Sequence, residues 1–261
     1  MPIALIVEDE PEANRLLALL VQLRGFRAES AHSGAEALEL ARRRSPDIVF
    51  LDLMLPDANG YDVCRELKAH RETSAIPVVM VTARLEDENR LRSFRVGAEE
   101  YIPKPYTPDQ IFGALACAAS WRRSVEQAAD HGEILIDTRD EPAALKRLQA
   151  LATSLLARSD ADEAEVDRLR QALLDLCREA VEWGRRHTLD GVATVGYELE
   201  ADRVVLTVDD VGGWFRGGRP ASERLAPILA RARFDEVDEE PGGERIVLTK
   251  RIPTRDSRDG A

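Results

Sequence analysis

The chain has 261 residues, enough for two ordinary domains. Hydrophobic residues are 44% of it and charged residues 32%, so it can bury cores and is not a disordered segment. The net charge is -12, and both halves are acidic (14 basic and 19 acidic side chains in 1–121, 22 and 29 in 122–261), which argues against a duplex-DNA footprint.

The first 120 residues alternate short apolar runs with amphipathic stretches. Ile3–Val7 is an apolar run that ends in acids. Pro11 to Arg24 places Leu16, Leu17, Leu20 and Leu23 at helical spacing and stops at Gly25. Ser33 starts a second helix, and Asp47–Leu51 is a second buried strand. Tyr61 to His70 reads as helix, Ile76–Val81 as strand, Glu86 to Val96 as helix and Glu100–Ile102 as a short strand. A helix from Thr107 is expected to run to about Ala129. Strands without alternation, separated by helices, predict five β-α units: an α/β fold with a doubly wound parallel sheet.

His131-Gly132 reads as a break, and the second half is organised differently. Glu133–Asp137 is a short strand, followed by helices over Pro142–Arg158 and Asp162–Arg186. Val192–Glu200 and Arg203–Asp209 alternate apolar with polar and form a hairpin. A Gly-rich stretch, a helix over Ser222–Arg233 and a hairpin of Phe234–Asp238 with Glu244–Arg251 complete it. This predicts α+β, with helices on one face of a mixed, largely antiparallel sheet. The expected domains are 1–121, a helical linker 122–131, a second domain 132–253 and a tail 254–261.

Cys64, Cys117 and Cys177 are odd in number and far apart, so neither a disulfide framework nor a zinc site is expected. The N-terminus has no basic region and meets acids at once, unlike a signal peptide, and no apolar run approaches a membrane span. A cytoplasmic location is the expectation.

The chemistry of the first half lies at strand C-terminal ends. Glu8 and Asp9 follow the first strand, Asp52 the third, and Lys104 the fifth, while Thr82 closes the fourth. Open parallel sheets gather ligands beyond those ends. Three carboxylates there repel unless a hard cation sits among them, and Mg²⁺ takes such oxygen ligands. A lysine can pair with a phosphoryl group and a threonine hydroxyl can donate to it. The set reads as a carboxylate nucleophile for phosphoryl transfer.

Leu5-Ile6-Val7-Glu8-Asp9-Glu10, Asp47 to Pro56, Pro77 to Ala83 and Gly97 to Tyr106 together resemble the receiver domain of bacterial two-component response regulators, a flavodoxin-like fold. The resemblance implies that Asp52 is the phosphoacceptor and that Glu8, Asp9, Asp52 and the Met54 carbonyl bind Mg²⁺. It implies that Thr82 and Lys104 contact the phosphoryl group, that Tyr101 is the switch aromatic and that the bond before Pro105 is cis. Its partner would be a histidine kinase or phosphotransfer protein, and a homodimer through the receiver is left open. Met54 and Arg84 are expected to border the cleft and slow hydrolysis.

The element order of the second half resembles the ATP-binding domain shared by histidine kinases and partner-switching anti-sigma kinases. Asp175 falls at that family's catalytic acid, Glu179 at its Mg²⁺-binding asparagine, Asp210 at its adenine-reading aspartate and Gly212 at its first loop glycine. Trp214 replaces the second glycine, and Ser222–Leu229 has no glycine where the next Gly-rich box belongs. Backbone N–H groups then cannot approach phosphates, so retained ATP binding is not expected. The resulting expectation is a response regulator whose degenerate ATPase-like domain binds a protein target, with no enzyme activity beyond receiver self-phosphorylation and dephosphorylation. Membrane and nucleic acid are not expected partners. The alternatives are an active ATP-dependent Ser/Thr kinase of the anti-sigma type and a DNA-binding transcriptional regulator.

Overall fold

The computed structural model describes residues 1–83, 87–126, 129–158, 161–187, 189, 191–200, 202–210, 221–240 and 244–252. The chain forms two compact units, Met1–Gln127 and Ala128–Ala261.

The first unit contains β1 (Ile3–Val7), α1 (Pro11–Leu23), β2 (Arg27–Ala31), α2 (Gly34–Arg44), β3 (Ile48–Leu51), α3 (Gly60–Ala69), α4 (Arg71–Ser74), β4 (Val78–Thr82), α5 (Asp87–Val96), β5 (Glu100–Pro103) and α6 (Pro108–Glu126). Its strands pair in parallel in the order β2-β1-β3-β4-β5. The order reverses between β1 and β3, which opens a crevice at their C-terminal ends. Both faces of the sheet are covered. Ile6, Phe50, Val81 and Ile102 pack against Leu17 and Val21 of α1 and Ile111 and Leu115 of α6. Leu5, Leu51 and Met80 pack against Leu40 of α2 and Tyr61 and Leu67 of α3. Burial on two faces is why the central strands β1 and β3 are uniformly apolar.

The second unit contains β6 (His131–Asp137), α7 (Glu141–Arg158), α8 (Glu163–His187), β7 (Gly191–Leu199), β8 (Arg203–Asp210), α9 (Ala221–Ala232), β9 (Glu236–Glu239) and β10 (Arg245–Arg251). The order is β6-β7-β8-β10-β9, with every pairing antiparallel. Ile134, Val195, Val208 and Ile246 form one cross-sheet row and are buried, whereas Glu133 is exposed and Thr207 half-buried in the next. The helices therefore cover one face: α7 and α8 meet β6, α8 meets β7, and α9 meets β9 and β10. Gly184 makes this fit, because a Cβ there would lie 2.2 Å from Val192 Cγ1 and 2.7 Å from Thr138 Cγ2.

β6 starts at His131, two residues before the expected strand. His131 and Gly132 pair with Glu198 and Tyr197. Gly132 marks a close approach, since a Cβ there would meet the Tyr197 ring at 2.7–2.9 Å. Among the described residues α6 ends at Glu126, within the expected linker 122–131. No helix among the described residues is long and apolar enough to cross a membrane.

Candidate functional site

The β1 and β3 ends are locked side by side: Val7 pairs with Leu51, and the Asp52 N–H donates to the Val7 carbonyl at 2.9 Å. Glu8 and Asp52 thus leave adjacent strands into the crevice, both nearly buried. Lys104 follows β5, and its N–H donates to the Thr82 carbonyl at 2.8 Å. Its ammonium donates to both Glu8 Oε2 and Asp52 Oδ2. Asp52 Oδ1 accepts the Met54 N–H at 3.1 Å. The Lys104–Pro105 bond is cis, as expected.

Burial pushes the Glu8 carboxyl above its ordinary value; the Lys104 hydrogen bond pulls it back, and the Asp52 charge pushes it up again. Burial works to lower the Lys104 ammonium, but hydrogen bonds to Asp52 and Glu8 offset this and hold it above its ordinary value. The lysine therefore stays charged beside two crowded carboxylates.

Glu8, Asp52 and Lys104 are in direct contact. Asp9 is exposed beside Glu8, and Thr82 is buried at the end of β4. Tyr101 is half-buried on β5 against the core under α2 and α3. Met54 is exposed, and Arg84 lies outside the described residues. Among the described residues, no three His, Cys, Asp or Glu side chains form a ready metal cluster. The donor chemistry still fits Mg²⁺, which is commonly held by one or two carboxylates, waters and phosphate oxygens rather than by a full protein cage.

Four supports were not singled out from the sequence: Asn14, His32, Ser30 and Gly60. The Glu8 carbonyl accepts from Asn14 Nδ2 at 3.2 Å and lies 3.0 Å from His32 Nδ1. Asn14 Oδ1 in turn accepts the Ser30 hydroxyl at 2.7 Å. Gly60 packs on the backbone just after β3: a Cβ there would lie 2.3 Å from the Asp52 carbonyl oxygen. The Gly-Tyr start of α3 was the available signal for that approach.

Asp57, in the loop after β3, accepts the Gly34 and Ala35 N–H groups at 2.7 and 3.0 Å and so caps α2. Those N–H groups hold its carboxyl below the usual range. Its stabilising effect is present above the unfolded value and is lost as pH falls through the depressed folded value. Asp57→Ala is expected to flatten the fall of Tm on acidification below about pH 4, read by thermal melts of both proteins. An unchanged slope would refute the cap.

In the second unit, Asp175 and Glu179 lie on α8. Asp175 accepts from Arg231 of α9 and is 3.3 Å from Arg178, which also lies 3.5 Å from Glu179. Both acids thus face guanidinium groups. Asp210 ends β8, and its N–H donates to the Glu244 carbonyl at 2.8 Å. Gly212 and Trp214 lie outside the described residues. Ser222–Leu229 is helical, and the Ser222 N–H and hydroxyl both donate to Glu239 Oε2 at 3.2 and 2.7 Å.

Comparison with known proteins agrees with this division. The profile described as response regulator receiver domain matches residues 4–116, and that described as histidine kinase-like ATPase domain matches residues 138–250. The DNA-binding dual master transcriptional regulator RpaA of Synechocystis is 33% identical over 52% of this chain and 56% of its own length, so the chain spans about half of that relative. The DNA-binding response regulator MtrA of Mycolicibacterium smegmatis is 32% identical over 83% of this chain and 96% of its own. The non-phosphorylated HemR receiver domain of Leptospira biflexa is 33% identical, covering 46% of this chain and 95% of that one, with a TM-score of 0.42. The chain belongs to the response regulators, with an N-terminal receiver domain and a C-terminal histidine kinase-like ATPase domain.

Proposed function

We propose that Asp52 accepts a phosphoryl group from a partner histidine kinase or phosphotransfer protein, and that this changes which protein the C-terminal domain binds in the cytoplasm. The observation that carries the reading is the Lys104 ammonium held between the Glu8 and Asp52 carboxylates. An Asp52 carboxylate oxygen attacks phosphorus, the phosphohistidine N–P bond breaks, and the histidine nitrogen keeps the electron pair. Lys104 answers the charge that moves onto the phosphoryl oxygens, and the Thr82 hydroxyl donates to one of them. Glu8, Asp9, Asp52 and the Met54 carbonyl would hold Mg²⁺, which supplies charge neutralisation of the phosphoryl group.

The α1 helix begins directly after the acid pair and exposes Leu16, Leu19 and Leu23 at 53%, 53% and 74%. An apolar stripe along the helix that starts at the crevice suits docking of the donor protein. Asp52→Asn is expected to abolish labelling from both a histidine kinase and a small acyl phosphate. Leu16→Asp/Leu19→Asp is expected to cut kinase labelling at least about tenfold, the effect of losing a buried apolar contact, and to spare acyl phosphate labelling. Labelling of Asp52→Asn at the normal rate would overturn the reading.

The guanidinium partners of Asp175 and Glu179 and the helical Ser222–Leu229 segment support a protein-binding output without ATP. The names of RpaA and MtrA favour a second reading, in which this chain also acts on DNA. That reading requires duplex binding that weakens steeply with salt.

A further inference from the structure

A cavity of about 450 Å³ opens on the face of the second sheet turned away from its helices, around Glu133, Gly196, Glu198, Val205 and Thr207. We propose that this face docks a basic segment of the partner protein, with an apolar side chain in the dent over Gly196 and lysine or arginine side chains on Glu133 and Glu198. The inference rests on the reading of the C-terminal domain as a protein-binding output, and it names the place and the chemistry of that binding.

Strand register places these residues. Glu133, Gly196, Thr207, Val247 and Asp238 form one row across β6, β7, β8, β10 and β9. His131, Glu198 and Val205 belong to the neighbouring row on the same face. Side chains alternate along a strand, so both rows point away from buried Ile134, Val195, Val208 and Ile246. Val205, Thr207 and Val247 are half-buried and form the floor, with exposed acids at its margins.

Gly196 has no local need to be glycine. Its φ is not positive, and a Cβ there would meet Thr207 Cβ at 3.5 Å, an ordinary contact. At Gly132 and Gly184, by contrast, a Cβ would collide with a neighbouring side chain. A glycine inside a strand weakens it and often marks the close approach of another molecule. What Gly196 supplies is room: a dent in the middle of the sheet, open to solvent and floored by a valine and a threonine. The strands around it are fixed by backbone pairing, so the dent exists before anything binds and the ordering cost of association is low.

Charge selects the occupant. Each arginine on this face is held by an acid: Arg203 by Glu200 at 2.7 Å, Arg251 by Glu236 at 3.2 Å, and Arg245 by Asp209. Glu133, Glu198 and Asp238 are exposed and, among the described residues, have no ion pair. His131 lies opposite Glu198 in the register and forms no ion pair with it. The surplus charge is therefore acidic. Glu133 and Glu198 are diagonal neighbours across β6 and β7, close enough to share one cation or to hold two side by side. A second copy of this chain, a nucleic acid or an anionic membrane would set like charge against them. A basic segment answers the acids, and an apolar side chain within it fills the dent.

The test uses the full chain against an array of randomised dodecapeptides. The expected result is enrichment of peptides with Lys or Arg beside Val, Leu or Ile. A fluorescein-labelled enriched peptide is then expected to bind Glu133→Lys/Glu198→Lys at least about tenfold more weakly, the effect of setting like charge across the contact. Glu39→Lys/Glu66→Lys, on α2 and α3, changes the net charge equally and should weaken binding about twofold at most, because salt screens distant charges. Gly196→Thr leaves the charge unchanged and is expected to bind about tenfold more weakly, the effect of excluding one apolar side chain. It should melt no lower than wild type, since threonine suits a strand better than glycine. Gly196→Thr carries the test where the Glu133→Lys/Glu198→Lys variant does not fold. Enrichment of acidic or uncharged peptides, equal weakening in the two charge-reversed variants, or an unchanged affinity in Gly196→Thr overturns the proposal. Peptide binding that responds to acyl phosphate but ignores these positions overturns this site alone. Binding of no peptide, with or without acyl phosphate, overturns the protein-binding output as well.

Discussion

Lys104→Met is expected to slow labelling of Asp52 by acyl phosphate about 10²–10³-fold, the usual cost of removing a positioned electrostatic donor. Two effects act together. The ammonium that touches Asp52 is absent when charge develops on the phosphoryl oxygens. Glu8 also loses the hydrogen bond that opposes its burial, so its carboxyl rises further and stays protonated to higher pH. A protonated Glu8 is a poor metal ligand, so the residual rate should climb with pH more steeply than in wild type. Lys104→Arg is expected to recover only part of the rate, because a planar fork does not replace a compact ammonium reaching two carboxylates at once. Initial labelling rates across pH check all three statements. A wild-type rate in Lys104→Met would remove Lys104 from the chemistry.

The sequence carried the parts of the fold that repeat locally. Uniformly apolar runs such as Ile48–Leu51 report burial on both faces, and acids directly after them report the sheet's C-terminal edge. The Glu8, Asp52 and Lys104 grouping was legible because a parallel sheet places all strand ends on one rim. What was illegible depends on partners distant in sequence. β2 reads Arg-Ala-Glu-Ser-Ala, with only Ala31 buried, and has no apolar run to announce it. Asp175 is 56 residues from Arg231, so its ion pair has no local signature. Asp57 caps a helix that begins 23 residues earlier. Pattern gives the faces of elements; side chains that bridge elements need the tertiary structure.

Lys68 is the sharpest instance. On α3 it reads as one more charge on a solvated face, yet it is 1% exposed. Its ammonium donates to the Ser74 and Ile76 carbonyls at 3.2 and 2.7 Å and to Glu99 Oε1 at 2.7 Å. Glu99 Oε2 accepts the Val78 N–H at 2.6 Å. One ion pair thus ties the α3–α4 corner to the starts of β4 and β5. Lys68→Met is expected to cost about 3–5 kcal/mol, because it leaves a buried carboxylate and two carbonyls without their donor. That is a large share of the roughly 5–15 kcal/mol that holds a domain folded. Lys68→Met/Glu99→Met should recover much of the loss, since removing both charges also removes their desolvation cost. Burial already pushes Glu99 above its ordinary value with Lys68 in place. Without Lys68 the rise is larger. A raised folded value favours folding below the unfolded pKa and loses that advantage as pH rises through the folded one. The Lys68→Met deficit should therefore be smaller near pH 4 than near pH 7.5, by about 1.4 kcal/mol for each unit by which losing Lys68 raises Glu99 beyond its wild-type folded value. Urea unfolding at both pH values measures it. A deficit that is independent of pH, or a double variant no more stable than the single one, would mean that Lys68 acts through packing rather than as the counter-charge of Glu99. At temperatures where Lys68→Met remains folded, Asp52 labelling should stay normal, which separates this anchor from Lys104, whose loss changes the rate.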